Sequence, residues 1–444
     1  MARDTLKPTR CAASRIYSDK RVGGSGGENG RRSRPSPGNE PRMNTRLRYA
    51  PFAVLLLAGL VLLSAGCSSE DTPQRPPAGR TLLVYFAADN NLAGNVQANL
   101  DGLAAGVAAA PDADARVVAY LDTPGENPRL MEITADGPRE FYRWPSPHDS
   151  ASPEVLREVI GRVLRDCPAD RYGLVLWSHG MAWVPSSAEA YFVLPYNRSV
   201  QAWPATKYFG EDTGAAPAGY LETADLAAAI PDGVFDYMLF DACFMASVEV
   251  EYALRAKADW IIAAPTEVIT DGFPYAAITG ELLRATPDLQ AVCGEFYRYY
   301  AEHPKANYRS ASVSLVRTSE LDALASATAE LYGAALAADP AVFSAMDISR
   351  VQHLDRYRRH FLFDLGSIAG ELERTGKVSA AAVPLWREQL ARTVVYEAHT
   401  AAFFELPIDA CCGLSGYVPV AAYSDLNDYY KTLEWYKATI INKR

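Results

Sequence analysis

Tyr172-Gly-Leu-Val-Leu-Trp-Ser-His179-Gly180 and Phe235-Asp-Tyr-Met-Leu-Phe-Asp241-Ala-Cys243 share one local design. Each is a continuous apolar run, the pattern of a strand buried on both faces of a parallel sheet. Each then stops at a residue able to do chemistry, His179 in the first and Cys243 in the second. In an open parallel sheet, reactive groups gather at the carboxyl ends of the strands. If the two strands are neighbours, His179 and Cys243 emerge side by side. Their separation of 64 positions leaves room for a crossover and a long loop.

Further strands are expected at Thr81–Ala87, Arg116–Leu121, Leu130–Thr134, Trp260–Ala264, Ala311–Val316 and Gly416–Val420. Helices are expected at Asn95–Ala108, Pro153–Arg165, Glu222–Ala229, Ala246–Arg255 and Leu289–His303. Strand–helix alternation of this kind predicts a three-layer αβα sandwich with a mainly parallel central sheet. The catalytic core is placed at residues 81–317. Residues 318–444 read as a helical C-terminal region that returns one strand to the core. The stretch Val184–Ala218 has no periodicity, and a loop of that length in a compact domain is usually functional or processed.

Residues 1–42 are rich in Gly, Ser, Pro and Arg and read as a disordered or mis-assigned leader. A second start at Met43 opens a different pattern: a basic n-region, an apolar run from Phe52 to Leu63, then Leu63-Ser-Ala-Gly-Cys67. This is the form of a signal peptide over 43–66, with an apolar run too short to span a bilayer comfortably. Its ending resembles a bacterial lipobox, which implies lipidation of Cys67 and a tether over 67–80. The expected location is the bacterial cell envelope, with the protein lipid-anchored to the inner or outer membrane and periplasmic or surface-exposed.

The chain is 49% hydrophobic and 22% charged, as a folded globular protein is. Residues 1–66 hold 12 Lys and Arg against 4 Asp and Glu; the rest holds 31 against 49 and is therefore acidic. An acidic body argues against nucleic acid as a partner; it is compatible with a basic substrate and equally with a charge that serves solubility alone. Beyond Cys11 and Cys67, five cysteines remain: Cys167, Cys243, Cys293, Cys411 and Cys412. The odd count leaves at least one thiol free. No CxxC pair is present, so a structural zinc site is not expected, and adjacent Cys411 and Cys412 read as packed small residues.

A free thiol in an exported protein needs a reason, and catalysis is one. The thiolate is the nucleophile, and its pKa falls beside an imidazolium or at a helix N-terminus. Cys243 is expected to have both influences, with His179 protonating the leaving amine. Gly180 has no side chain to block its amide, which with the amide of Cys243 can form an oxyanion hole. The blander reading is a packed Cys and a hydrogen-bonded His, which each residue taken singly would favour.

Further segments join these: Tyr85-Phe-Ala-Ala-Asp89-Asn-Asn-Leu92, Trp177-Ser-His179-Gly180, Phe240-Asp241-Ala-Cys243-Phe-Met245, Thr266-Glu267, Asp271-Gly-Phe-Pro-Tyr275 and Gly413-Leu-Ser-Gly-Tyr417. Together they resemble the clostripain family of cysteine peptidases, related in fold to caspases, gingipains and legumains. The resemblance implies a caspase-like sandwich, a His179–Cys243 dyad and cleavage after Arg or Lys. Asp241 matches one acidic position of the S1 pocket, and Asp271, in the loop after the next strand, is the candidate for the second; as structural residues they would be a strand-end cap or ion-pair partner. Self-cleavage between the dyad strands is implied as well, with Lys207 as the best-matching site and Arg198 second. The expected partners are protein or peptide substrates with Arg or Lys, and the membrane through the N-terminal lipid. No cofactor is expected; some family members depend on calcium, but no calcium-loop spacing is present.

The sequence departs from the family at Met181-Ala182-Trp183, where a Gly-rich stretch is usual. Glu267 is open between a pocket role and a structural one. Among rival chemistries, the body beyond Cys67 has no Gly-x-Ser-x-Gly elbow, and no His-Glu-x-x-His is present. His353 and His360, seven apart on an expected helix, lack a carboxylate pair at ligand spacing. The alternative of another class is a catalytically inactive surface lipoprotein that keeps the fold as a binding module.

Overall fold

The structure is a computed structural model that describes residues 75–191 and 220–440. Eight strands follow one another through the first part of the chain. They are β1 (Ala78–Ala87), β2 (Ala115–Asp122), β3 (Arg129–Thr134), β4 (Gly137–Arg143), β5 (Ala169–Trp177), β6 (Phe235–Asp241), β7 (Ala258–Ala263) and β8 (Ser312–Arg317). A two-residue β9 (Phe363–Asp364) and a longer β10 (Val394–His399) come later. Nine of them form one sheet in the order β10-β8-β7-β6-β5-β1-β2-β3-β4. Its centre, from β2 through β1, β5 and β6 to β7, is parallel; β3, β4, β8 and β10 flank it antiparallel.

The central strands are continuous apolar runs because both sheet faces are covered. Leu82–Phe86, Leu174–Trp177 and Tyr237–Phe240 are all buried, and each large side chain removed from water contributes roughly 1.5–3 kcal/mol. The crossovers sort the helices onto two faces. From β1 to β2 the chain steps one way along the sheet through helix Val96–Ala108. From β2 to β5, and on to β6 and β7, it steps the other way through helices Pro153–Asp166, Thr223–Ala229 and Val248–Ala253. Right-handed crossovers running in opposite directions place their helices on opposite faces. The expected three-layer sandwich is the fold observed.

Several boundaries differ from the sequence expectation. β1 opens at Ala78, inside the stretch assigned to the tether, because Ala78, Arg80 and Thr81 pair with β5. The segment that returns to the main sheet is β10, antiparallel to β8, and not Gly416–Val420. Of that latter stretch only Gly416 is in a strand, where Ser415–Gly416 pairs with β9. Residues 339–364, expected within a mainly helical region, are largely irregular apart from β9 and a short turn of helix at Ile348–Arg350.

Candidate active site

β5 and β6 are parallel neighbours, with Trp177 beside Asp241. The residues that follow, Ser178-His179-Gly180 and Ala242-Cys243, therefore leave the sheet together. Ser178 Oγ donates to the Ala87 carbonyl at 3.0 Å, tying this exit to the end of β1. Gly180 lies directly on Cys243: a Cβ there would stand 2.0 Å from the Cys243 carbonyl oxygen and 2.6 Å from its amide nitrogen. Only glycine permits two backbones to approach so closely. His179 and Cys243 are thus carried to one place, and both are buried, at 1% and 0% exposure.

The His179 ring is oriented by Asn91, from the loop after β1, whose Oδ1 lies 2.7 Å from Nε2. An amide oxygen is an acceptor, so this contact puts the hydrogen on Nε2. The Cys243 thiol faces the main chain of Val268. The Val268 N–H donates to Sγ at 3.1 Å, and the Val268 carbonyl lies 3.7 Å from the sulfur. An N–H aimed at sulfur favours the charged thiolate. The helix that follows the nucleophile turn begins at Val248, two residues later than expected.

Backbone strain marks both exits. Ala182 has φ +55° and Phe244 has φ +62°, a region that costs a non-glycine residue roughly 1–2 kcal/mol. Phe244 is held by its N–H bond to the Thr266 carbonyl at 2.8 Å. Ala182 is followed by Trp183, buried against Tyr417 and Tyr430. Met181-Ala182-Trp183 therefore keeps a glycine-like backbone without glycine, held by the packing of Trp183.

Asp241 is fully buried, and its Oδ2 accepts from the Tyr275 hydroxyl at 2.9 Å and the Phe273 amide at 3.3 Å. Asp271 is exposed on the same 266–275 segment. Burial pushes the Tyr300 phenol well above its ordinary pKa, and the charges of Asp241 and Asp271 add to that push. Asp271 precedes by two residues Phe273, whose amide donates to Asp241. Glu267 is 4% exposed and fully engaged by Arg356, with Nη2 to Oε1 at 2.9 Å and Nε on Oε2.

Other candidates lie elsewhere. Cys167, Cys293, Cys411 and Cys412 are free, and burial raises each of their thiol pKa values. His353 and His360 sit in an irregular loop and not on a helix; their rings stack at 3.6 Å, and Asp355 holds His360 Nδ1 at 2.9 Å. Among the described residues no three His, Cys, Asp or Glu side chains gather as metal ligands. Lys207, Arg198 and Cys67 lie outside the described residues. Four contributors escaped the sequence reading as site residues. Asn91 and Tyr275 lay inside quoted motifs; Val268, acting through its main chain, and Arg356, distant in sequence, gave no local signal.

A model of the clostripain family matches residues 84–440. Clostripain of Hathewaya histolytica is 26% identical over 226 residues, 45% of this chain and 41% of that protein. The chain thus spans about two fifths of that relative's length. The fold is similar to an inactive zymogen C11 protease from Parabacteroides distasonis, with TM-score 0.69 and 31% identity over 82% of this chain and 99% of that one. It is also similar to a secreted C11 cysteine protease from Bacteroides thetaiotaomicron, with TM-score 0.67 and 27% identity over 82% of this chain and 100% of that one. A second structure of a secreted C11 protease from the same organism, solved with an irreversible peptide inhibitor, gives TM-score 0.66 at 27% identity, over 82% of this chain and 100% of that one.

Proposed function

Because the chain belongs to the clostripain family, we propose that it is a cysteine endopeptidase cleaving after Arg or Lys, with Cys243 as nucleophile and His179 as its partner. The Cys243 thiolate attacks the scissile carbonyl carbon, and the amides of Gly180 and Cys243 receive the oxyanion. His179 gives its proton to the leaving amine as the C–N bond breaks, leaving a thioester. Water, deprotonated by His179, then releases the acid and restores the thiolate. The observation that carries this reading is the contact of Gly180 with the Cys243 backbone at two adjacent strand ends. No step needs a cofactor, and none is routed through calcium.

Asp241 and Asp271 supply the negative charge that a guanidinium or ammonium at S1 would meet. The dyad is buried, so substrate entry requires an opening, and self-cleavage at Lys207 in the loop between the dyad strands would provide it. The likeness to an inactive zymogen supports this order of events. Lipidation at Cys67 would hold the enzyme on the bacterial envelope, within reach of protein substrates rich in Arg and Lys. Fluorogenic Arg- and Lys-terminated peptides, with and without a thiol alkylator, test the reading beside Cys243→Ala. Cleavage that survives Cys243→Ala overturns the mechanism. No cleavage by loop-processed wild type favours the inactive binding module, and full activity of an uncut Lys207→Ala protein removes the activation step.

A further inference from the structure

Residues 339–364 connect helices Leu321–Ala338 and Leu365–Arg374 and contain a tight loop organised by Asp355. The Asp355 carboxylate accepts the amide of Tyr357 at 3.1 Å and those of Phe361 and Leu362 at 2.9 Å each, besides His360. So held, the loop presents Arg356 to the loop that faces the thiol. The guanidinium grips Glu267 with two nitrogens, reaches Glu405 with a third at 3.0 Å, and has the Phe404 ring 4.7 Å away. The next residue in the chain after Glu267 is Val268, whose amide lies on Cys243 Sγ.

We propose that Arg356 is a positioning residue for the nucleophile: by fixing Glu267, it holds the Val268 amide on the sulfur. The proposal rests on Cys243 being the nucleophile. A planar guanidinium bound to both carboxylate oxygens fixes orientation as well as distance, which a single ammonium contact does not. In the resting thiol the S–H has the Val268 carbonyl to face. Once the proton has passed to His179, the sulfur keeps the charge and the Val268 N–H is the donor that answers it. The surrounding charges are already committed: Glu405 shares Arg356, and Asp355 and His360 hold each other. His353 stacks on His360, and burial lowers its basicity. The irregular C-terminal segment thereby acquires a role in setting the reactivity of a cysteine far from it in sequence.

Two variants test this. Arg356→Lys keeps the charge and loses the two-pronged grip. Glu267→Gln combined with Arg356→Gln removes both charges, so neither is left alone in the interior. The first measurement is the acid limb of the kcat/KM–pH profile on an Arg-terminated peptide. It should move up by about one unit in both variants, roughly a tenfold loss below the limb, with KM little changed. The second is hydrogen–deuterium exchange of amides 266–269 in the full chain, which needs no catalysis and should quicken by about tenfold or more while β5 is unaffected. Folded variants with a wild-type acid limb and wild-type exchange would overturn the proposal, as would a loss confined to KM. Absence of cleavage by wild type counts against the peptidase reading alone, and the exchange measurement then decides the positioning role by itself.

Discussion

His179 and Cys243 come from strand ends paired side by side in the sheet, whereas their surroundings are assembled from later in the chain: Val268 on the Cys243 sulfur, Tyr275 on Asp241 and Arg356 on Glu267. The first region is held by sheet register, continuous from Gly173 beside Tyr237 to Trp177 beside Asp241. The second is held by single contacts, each of which can be removed. The difference separates presence of the catalytic groups from their tuning: register brings the dyad together, and long-range contacts set the surroundings of the sulfur and of Asp241.

The largest expected effect tests the register-held side. Gly180→Ala puts a methyl group where only 2.0 Å separates it from the Cys243 carbonyl oxygen. Something must move by more than an ångström, displacing the thiol and one oxyanion amide together, so kcat/KM should fall by about 1000-fold. Gly161→Ala is the control, since nothing lies within 4 Å of its added Cβ. On that exposed helix surface it should leave activity unchanged and stabilise by about 0.5–1 kcal/mol in urea unfolding. Equal effects of the two substitutions would break the contrast.

The same division explains what the sequence reveals. Continuous apolar runs name β5 and β6 because burial on both faces writes itself into every residue of the strand. β4, Gly137-Pro-Arg-Glu-Phe-Tyr-Arg143, is an edge strand with no fully buried residue, so it carries no such signal. β10 follows helix Ala382–Thr393 without a break and is itself only partly buried, and it read as more helix. Arg356 stands beside other arginines in Asp355-Arg-Tyr-Arg-Arg359. Only the folded chain shows that it, and not a neighbour, meets Glu267.

The next effect concerns a strut between the two regions. Glu249, just beyond the nucleophile turn, accepts the Ser247 hydroxyl and the Tyr417 amide, the latter from the C-terminal segment. Burial is the main cause that raises its pKa to about 7, against an ordinary 4.5. The folded state thus holds its proton more tightly than the unfolded one. The contribution is complete below about pH 4.5, is lost as pH rises toward 7, and is flat above. The window is worth about 3 kcal/mol. Burial raises the Glu251 pKa well above its ordinary value as well and acts in the same direction. Urea unfolding at pH 5 and pH 8 should show this loss in wild type and a smaller one in Glu249→Gln; identical slopes would remove Glu249 from the account.

On the contact-held side, Asp241→Asn keeps an acceptor for Tyr275 and Phe273 but removes the charge. Cleavage after Arg should weaken by about 2 kcal/mol, roughly 30-fold, mostly in KM. An uncharged P1 residue should lose much less. If both substrates suffer alike, Asp241 shapes the turn and does not read the substrate.

The smallest expected effect lies where the regions meet. Asn91 touches His179 from a loop yet serves the register-held dyad through one 2.7 Å contact. Asn91→Ala should lower kcat about tenfold with KM little changed, because an unheld imidazole spends less time in the reactive orientation. Asn91→Asp replaces the amide with a carboxylate that favours the imidazolium. It should restore much of the orientation while moving the basic limb of the pH profile upward. Recovery of kcat without that movement would mean that Asn91 only fills space. Movement without recovery would mean that the ring is oriented by the strand end itself, and the register-held region would then need no help from the loop.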